Sequence, residues 1–474
     1  MQQKSELPEG WKSVSLGELV QPSKEKIEPS ENPNLKYVGL EHIESHKCQI
    51  KGYGFSVDIK STKTMFHRGD VLYGKLRPYL NKVCVPNFDG VCSTDILVFN
   101  ATSNLNNYYL MRFLSTPNVV DYASNNSSGV QLPRINFQKL SSYTVPLPPL
   151  SEQHRIVSAI EALFARLDAT NEKLDRVQEI LKKFRESVLA AACEGRLTEV
   201  WREENQGIEF KVDILDSIDL GSSVDSEVII DEFNLPDTWK WTTVDSIGHV
   251  KGGKRLQKGS NLVNYDTSYP YLRAGNLKNG TVEGEILYLQ QNDYNQISKY
   301  TISSSDVYIT IVGACIGDSG IVPEEYDGAN LTENAAKVCD LHGVFNQYLA
   351  LVFRSKIIQD QIQNKIFSAS QGKLALIRIR KLLIPLPTLP EQQEIVRRVD
   401  ALFAFADSIE AKVTVAREKT EKLKQSILAK AFSGELVEIE AEIARREGRD
   451  YESAEVLIER IKEERGKGGR NDET

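Results

Sequence analysis

Val145-Pro146-Leu147-Pro148-Pro149-Leu150-Ser151-Glu152-Gln153 recurs in the chain as Ile384-Pro385-Leu386-Pro387-Thr388-Leu389-Pro390-Glu391-Gln392. The copies align without a gap at an offset of about 239 residues over roughly 50 positions, a fixed-period self-similarity that marks an internal duplication. They run on to Glu194-Gly195-Arg196-Leu197 in the first copy and Ser433-Gly434-Glu435-Leu436 in the second. Between these ends the apolar residues advance by alternating steps of four and three. In the first copy they are Ile156, Ile160, Leu163, Leu167, Leu174, Val177, Leu181, Phe184 and Val188, with Thr170 the one polar entry; in the second, Ile395, Val399, Leu402, Ala406, Ile409, Val413, Ala416, Thr420, Leu423 and Ile427. A 3.5-residue repeat held over about five heptads predicts a coiled-coil seam. Each helix should be roughly 35 to 40 residues, or about 50 to 60 Å, long. Prolines block helix upstream of each copy, and Gly195 and Gly434 offer a stop downstream.

Outward from the two helices lie two dissimilar segments with matching entrances, Leu7-Pro8-Glu9-Gly10-Trp11-Lys12 and Leu235-Pro236-Asp237-Thr238-Trp239-Lys240. Each reads as an α+β module. Short β-type runs at Tyr37-Val38-Gly39-Leu40, Asp70-Val71-Leu72-Tyr73, Val83-Cys84-Val85 and Ile96-Leu97-Val98-Phe99 precede a helical pattern at residues 108–114. In the second module the corresponding runs are Tyr271-Leu272-Arg273-Ala274 and residues 306–311, with a helix over 348–353. The predicted fold class is therefore α+β: two β-rich domains separated by two long helices that form an antiparallel coiled coil, with pseudo-two-fold duplication. Residues 1–150 form the first domain, 151–205 the first helix, 206–235 an acidic linker anchored at Ile214-Leu215, and 236–389 the second domain. Residues 390–436 form the second helix, and 437–474 a terminal helix capped by Ser453, with a disordered tail from Gly466.

Net charge is −8, which at first sight disfavours a nucleic-acid partner. Its distribution reverses that reading: counting Lys and Arg against Asp and Glu gives +3 for residues 1–150 and +2 for 236–389, against −7 for 206–235. The domains are mildly basic, which is compatible with a phosphate-facing surface. The six cysteines show no close pairing, and no apolar run is long enough to span a membrane or serve as a signal core, so a cytoplasmic protein with free thiols is expected. His42, His46 and Cys48 are too few to make a metal site. No Walker A loop, dinucleotide fingerprint, nucleophile elbow or zinc-protease motif occurs, so no catalytic residue, metal or cofactor is assigned to this chain.

Two different modules on a rigid spacer suit the reading of two short sequences at a fixed separation. About 55 Å of helix spans roughly 16 base pairs. In the first domain Lys75, Arg77, Tyr79 and Lys82 alternate basic and aromatic character in a loop after a strand, suited to phosphates and a guanine edge, with Gln131 and Arg134 on a later loop. In the second, Lys251, Lys254, Arg255 and Lys258 surround Gly252-Gly253, whose small size would let backbone approach a duplex. Arg273, Asn276 and Lys278 flank a turn where Asn suits adenine, and Lys373 follows Gly372.

The proline-leucine entries, the Glu-Gln helix starts, Ala162-Leu163-Phe164 with Ala401-Leu402-Phe403, the exits at Ser187 to Ala190 and Ser426 to Ala429, and the entrance tryptophans resemble the specificity subunit of type I restriction-modification systems over nearly the whole chain. The resemblance implies that the two modules are target-recognition domains binding double-stranded DNA and that the helices dock two adenine-methyltransferase subunits, joined by restriction subunits. It further implies that S-adenosylmethionine, ATP and Mg belong to those partners, and that the carboxy-terminal segment closes a ring against the amino-terminal half. Two other readings fit the residues alone: a coiled-coil scaffold with two protein-binding modules, and a stand-alone DNA-modifying enzyme with unrecognised motifs. Steep salt dependence of DNA binding separates the reader from the scaffold, and cofactor binding by the isolated chain would favour the enzyme.

Overall fold

The computed structural model describes residues 7–28, 34–58, 61–205, 207, 235–367 and 372–468. It divides into two units, Met1–Leu174 with Thr414–Thr474, and Asp175–Val413. Nearly all of the acidic linker, with the anchor at Ile214-Leu215, lies outside the described residues, as does the tail after Gly468.

In the first unit the domain is clasped at its ends. Strand Lys12–Ser15, just after the entrance tryptophan, pairs antiparallel with Thr144–Leu147, the strand that feeds the first long helix. Within the clasp a five-stranded sheet runs in the order Lys26–Ile27, Lys63–Phe66, Gly90–Cys92, Lys36–Val38, Gly54–Phe55. A second sheet places Val71–Gly74 between Val83–Cys84 and Ile96–Phe99. All four residues of Val71–Gly74 are buried, as expected of a central strand. Helix Asn107–Leu114, capped by the Asn106 side chain, lays Tyr109, Leu110, Phe113 and Leu114 into the core.

The second unit repeats the plan. Lys240–Thr243 pairs with Leu383–Leu386. One sheet runs Leu287–Tyr288, Pro270–Leu272, Ala329–Leu331, Thr301–Ile302; the other runs His249–Gly252, Ala335–Cys339, Val307–Thr310, Ser319–Gly320. Helix Asn346–Arg354 takes the place of Asn107–Leu114. Helices Pro117–Asn125 and Lys356–Phe367 were not foreseen from the sequence.

The junction of domain and helix is built from the same bonds in both units. Tyr109 donates its hydroxyl to the Pro146 carbonyl at 2.5 Å, and Tyr348 donates to that of Pro385 at 2.8 Å. Gln153 accepts from the Asn106 amide and donates to Pro148 O; Gln392 accepts from Phe345 N and donates to Pro387 O. These partners keep the 239-residue offset, so the duplication reaches back into the domains. Buried polar bonds whose loss strands a donor or acceptor hold this junction fixed.

The long helices are Leu150–Cys193, 44 residues, and Leu389–Ser433, 45 residues, longer than the periodicity suggested. Pro390 is accommodated in the first turn, where no intrahelical donor is lost. The pairing is antiparallel in each unit. In the first, Asp168 meets Lys424 at 2.8 Å and Asn171 accepts from Thr420 Oγ1 at 2.9 Å. In the second, Arg185 meets Asp407 and Glu410, while Thr198 donates to Glu391. The seam departs from the expected columns at two places. Thr170 is exposed and Asn171 faces the partner helix; Leu423 is 51% exposed and Lys424 takes its place, its ammonium 5.9 Å from the Phe164 ring. An α-helix drifts about 20° per heptad against a strict 3.5 repeat, so the buried position moves on by one residue.

Each helix ends on a left-handed glycine against an entrance proline. A Cβ on Gly434 would lie 2.2 Å from Pro8 in the first unit, and one on Gly195 2.5 Å from Pro236 in the second. The carboxy-terminal segment closes on the first domain: Ala454 N donates to Gly10 O, and Leu457 and Ile461 join that domain's core. The terminal helix runs Ala454–Gly468, past the expected limit at Gly466.

Candidate nucleic-acid interface

In the first domain two loops are knitted into one surface. The first, residues 75–82, leaves the central strand Val71–Gly74 and returns in Val83–Cys84. Its base is closed by Gly74 N to Lys82 O, 2.8 Å, and Lys75 N to Asp95 O, 2.9 Å. The second, residues 128–134, is a hairpin pinned by reciprocal bonds between Ser128 and Arg134, both 2.9 Å. Arg77 N to Pro133 O and Ile135 N to Lys75 O join the two loops. Lys75, Arg77 and Tyr79 on one loop therefore adjoin Gln131 and Arg134 on the other.

Their states differ. Arg77 is exposed, adopts left-handed backbone with φ 52°, and pairs its guanidinium with no described residue. A non-glycine residue held there costs of order 1–2 kcal/mol, a strain that clusters at functional sites. Tyr79 is half exposed beside it, and Gln131 stands at the hairpin tip. Arg134 is instead bound to Asp95, Nε to Oδ1 at 2.9 Å, which raises its pKa and fixes the hairpin's foot. Lys82 turns inward, donating to Leu40 O at 2.5 Å; burial, with Lys51 nearby, lowers its pKa. That bond props the loop from beneath.

The second domain gathers its cations differently. Lys251, in strand His249–Gly252, and Lys254, Arg255 and Lys258, after it, are all exposed, but Lys251 is paired with Asp340 at 3.0 Å and Arg255 with Glu333 at 2.8 Å. Lys254 lies 5.5 Å over the Tyr300 ring. A cavity of about 270 Å³ opens between Lys251, Lys299, Tyr300 and Lys337. Lys299 and Lys337 were missed by sequence reasoning, although the basic-aromatic pair Lys299-Tyr300 was a readable signal.

Gly253 is required by its own domain: a Cβ would fall 2.0 Å from the Thr332 carbonyl oxygen. Gly253→Ala is expected to cost about 1 to 3 kcal/mol through overpacking. Thermal denaturation reads this, and an unshifted Tm would contradict it. Asn276 is buried, with its amide spent on Arg273, Glu283 and Glu285, so the expected adenine contact gives way to a turn-forming role. Arg273 is tied to Glu285 O, and Lys278 lends its carbonyl to Tyr308. Lys373 is exposed and bridges to Val312. His42 is spent locally, its Nδ1 accepting from Gly39 N. Among the described residues no group of three or more His, Cys, Asp or Glu is placed to hold a metal ion, and no helix is long and apolar enough to cross a membrane.

The fold is thus a duplicated pair of α+β domains on antiparallel helices, each domain offering a distinct loop surface. Residues 8–179 and 236–416 match the family model for the type I restriction modification DNA specificity domain. The chain belongs to this family of type I restriction-modification specificity subunits. It is 32% identical over 378 residues to the specificity subunit of the Escherichia coli type I restriction enzyme EcoBI, covering 76% of this chain and 73% of that one. The EcoDI specificity subunit of Escherichia coli is 27% identical over 484 residues, with 98% and 97% covered. Among solved structures, a chain from a study of complex assembly in the type I R-M system superposes with TM-score 0.67 at 20% identity, covering 91% of this chain and all of that one. The HsdS subunit from Thermoanaerobacter tengcongensis gives 0.53 at 20% identity, with 91% and 99% covered. At that identity the likeness speaks for the fold alone.

Proposed function

We propose that this chain chooses the DNA target of a type I restriction-modification complex, reading a bipartite sequence with one half-site per domain. Adenine-methyltransferase subunits dock on its helices, and restriction subunits complete the assembly in the cytoplasm. S-adenosylmethionine, ATP and Mg are bound by those partners, which supply the catalysis. The observation that carries this reading is Arg77: an exposed guanidinium without a described partner, held in left-handed backbone on a loop that also carries exposed Tyr79 and adjoins the hairpin of Gln131. Arginine there suits bidentate contact with guanine in a major groove. Docking is supported by large apolar side chains left exposed on the helices, Ile180 and Phe405 in the second unit and Val415 and Leu423 in the first.

The experiment is co-expression with the methyltransferase subunit in a methylation-free host, followed by genome-wide mapping of N6-methyladenine. A two-part motif with a fixed spacer, lost when this chain is omitted, is the expected result; a stable complex that methylates nothing would overturn the reading. Arg77→Ala is expected to weaken DNA binding by about 1 to 3 kcal/mol and to relax the first half-site. Unaltered affinity and motif would remove Arg77 from the interface.

A further inference from the structure

The second domain contains a twin of the surface formed by the 75–82 loop. Strand Val307–Thr310 is flanked by Ser319–Gly320 and Ala335–Cys339, as Val71–Gly74 is by Val83–Cys84 and Ile96–Phe99. The loop that leaves it, residues 311–318, is held by the same four backbone contacts. Thr310 N bonds Asp318 O at 2.8 Å where Gly74 N bonds Lys82 O, and Ile311 N bonds Asn334 O at 2.8 Å where Lys75 N bonds Asp95 O. Leu374 N bonds Ile311 O at 3.0 Å where Ile135 N bonds Lys75 O, also at 3.0 Å. The bridge between Val312 and Lys373 answers that between Leu76 and Arg134. Arg134 and Lys373 keep the 239-residue offset of the helices. Even the left-handed residue recurs: Gly313, φ 107°, stands where Arg77 stands.

The scaffold is shared, but the chemistry on it is not. Where the first loop presents Arg77 and Tyr79, the second presents Gly313, Ala314 and Cys315, without charge; Gly313 and Ala314 are exposed, and a Cβ on Gly313 would meet nothing within 4 Å. We propose that residues 312–317, backed by Lys373, form the base-facing loop of the second domain, reading its half-site by close backbone approach and apolar contact with thymine methyl groups rather than by a guanidinium. Lys373 then supplies a phosphate contact beside it, while the paired cations Lys251 and Arg255 lie elsewhere, on strand His249–Gly252 and in the loop that follows it. This rests on the DNA-reading function proposed above. It assigns the two half-sites to one topological position on two domains, with specificity set by what side chains that position carries.

The test uses the full chain in complex with its methyltransferase subunit and a duplex carrying the motif mapped for the unsubstituted complex. Ala314→Asp places a carboxylate at an exposed loop position, and like-charge repulsion from the duplex should lower affinity at least about tenfold. Ala314→Lys should raise affinity and steepen its salt dependence. In the methylation map, changes from either variant should be confined to one half of the motif, the half that Arg77→Ala leaves alone. If the unsubstituted complex binds and methylates its motif while both Ala314 variants match it in affinity, salt dependence and motif, the assignment is wrong. An unsubstituted complex that shows no sequence-selective binding would instead sink the DNA-reading function itself.

Discussion

Replacing Arg202 by alanine is expected to destabilise the second unit by about 3 to 5 kcal/mol, the cost of stripping the partner from a buried carboxylate. Glu391 is 1% exposed, and its Oε1 accepts from Arg202 Nη1 at 2.6 Å and from Thr198 Oγ1 at 2.7 Å. Without the guanidinium one neutral hydroxyl remains. Arg202 also donates to Gly195 O, the carbonyl at the end of the first long helix, and lies 5.8 Å over the Trp239 ring. The substitution therefore loosens helix end, domain entrance and helix start together. Glu391→Leu in the same chain should restore most of the loss, because the charge that needed a partner is gone. Chemical denaturation of the single and double variants checks this; equal stability of Arg202→Ala and the parent would contradict it. The first unit meets the same need with neutral donors: Glu152 accepts from Trp11 Nε1 and Glu440 N, both at 2.9 Å, and its burial raises the carboxyl's pKa. Trp239, by contrast, leaves its Nε1 without a partner among the described residues. Duplication preserved the buried glutamate, and each half found its own way to hold it.

That divergence marks what the sequence could reveal. The helices were legible because a seam imposes a period, and the prolines of Val145 to Pro149 and Ile384 to Pro390 punctuate it without reference to distant residues. The slip from Leu423 to Lys424 was not, since a strict repeat takes no account of helical drift. In the first domain the candidate surface was visible because its residues are charged and aromatic and sit close in sequence. Lys82 looked equivalent to its neighbours until its ammonium met the Leu40 carbonyl, 42 residues away. Gly253 looked like a place for backbone to approach a duplex, and the space beside its Cα is filled by the Thr332 carbonyl. The second domain's loop at 312–317 carries Gly, Ala and Cys, residue types without a charge to draw attention. Only the repeated backbone bonds around Ile311 and Val312 bring it into view.

Ending the chain after Ile439 should lower the first unit's stability by about 3 to 6 kcal/mol, taking about 1.5 to 3 kcal/mol for each of the two large apolar side chains, Leu457 and Ile461, whose burial is lost. Leu457 and Ile461 are 1% and 2% exposed and pack with the first domain's core, as does Ala454. Leu16 and Leu19 belong to the same buried cluster. The cut also removes Glu440, whose amide bonds the buried Glu152 and whose carboxylate pairs with Arg155 at 2.6 Å. A loss of this size consumes much of the roughly 5 to 15 kcal/mol that holds an ordinary domain folded. In calorimetry the first unit's transition should fall well below that of the parent, and a peptide of residues 440–468 added in trans should raise it again. A superposable trace for the shortened chain would show that the segment rests on the domain without supporting it. If the peptide rescues, closure is a separable binding event that the covalent link to the second long helix promotes by proximity.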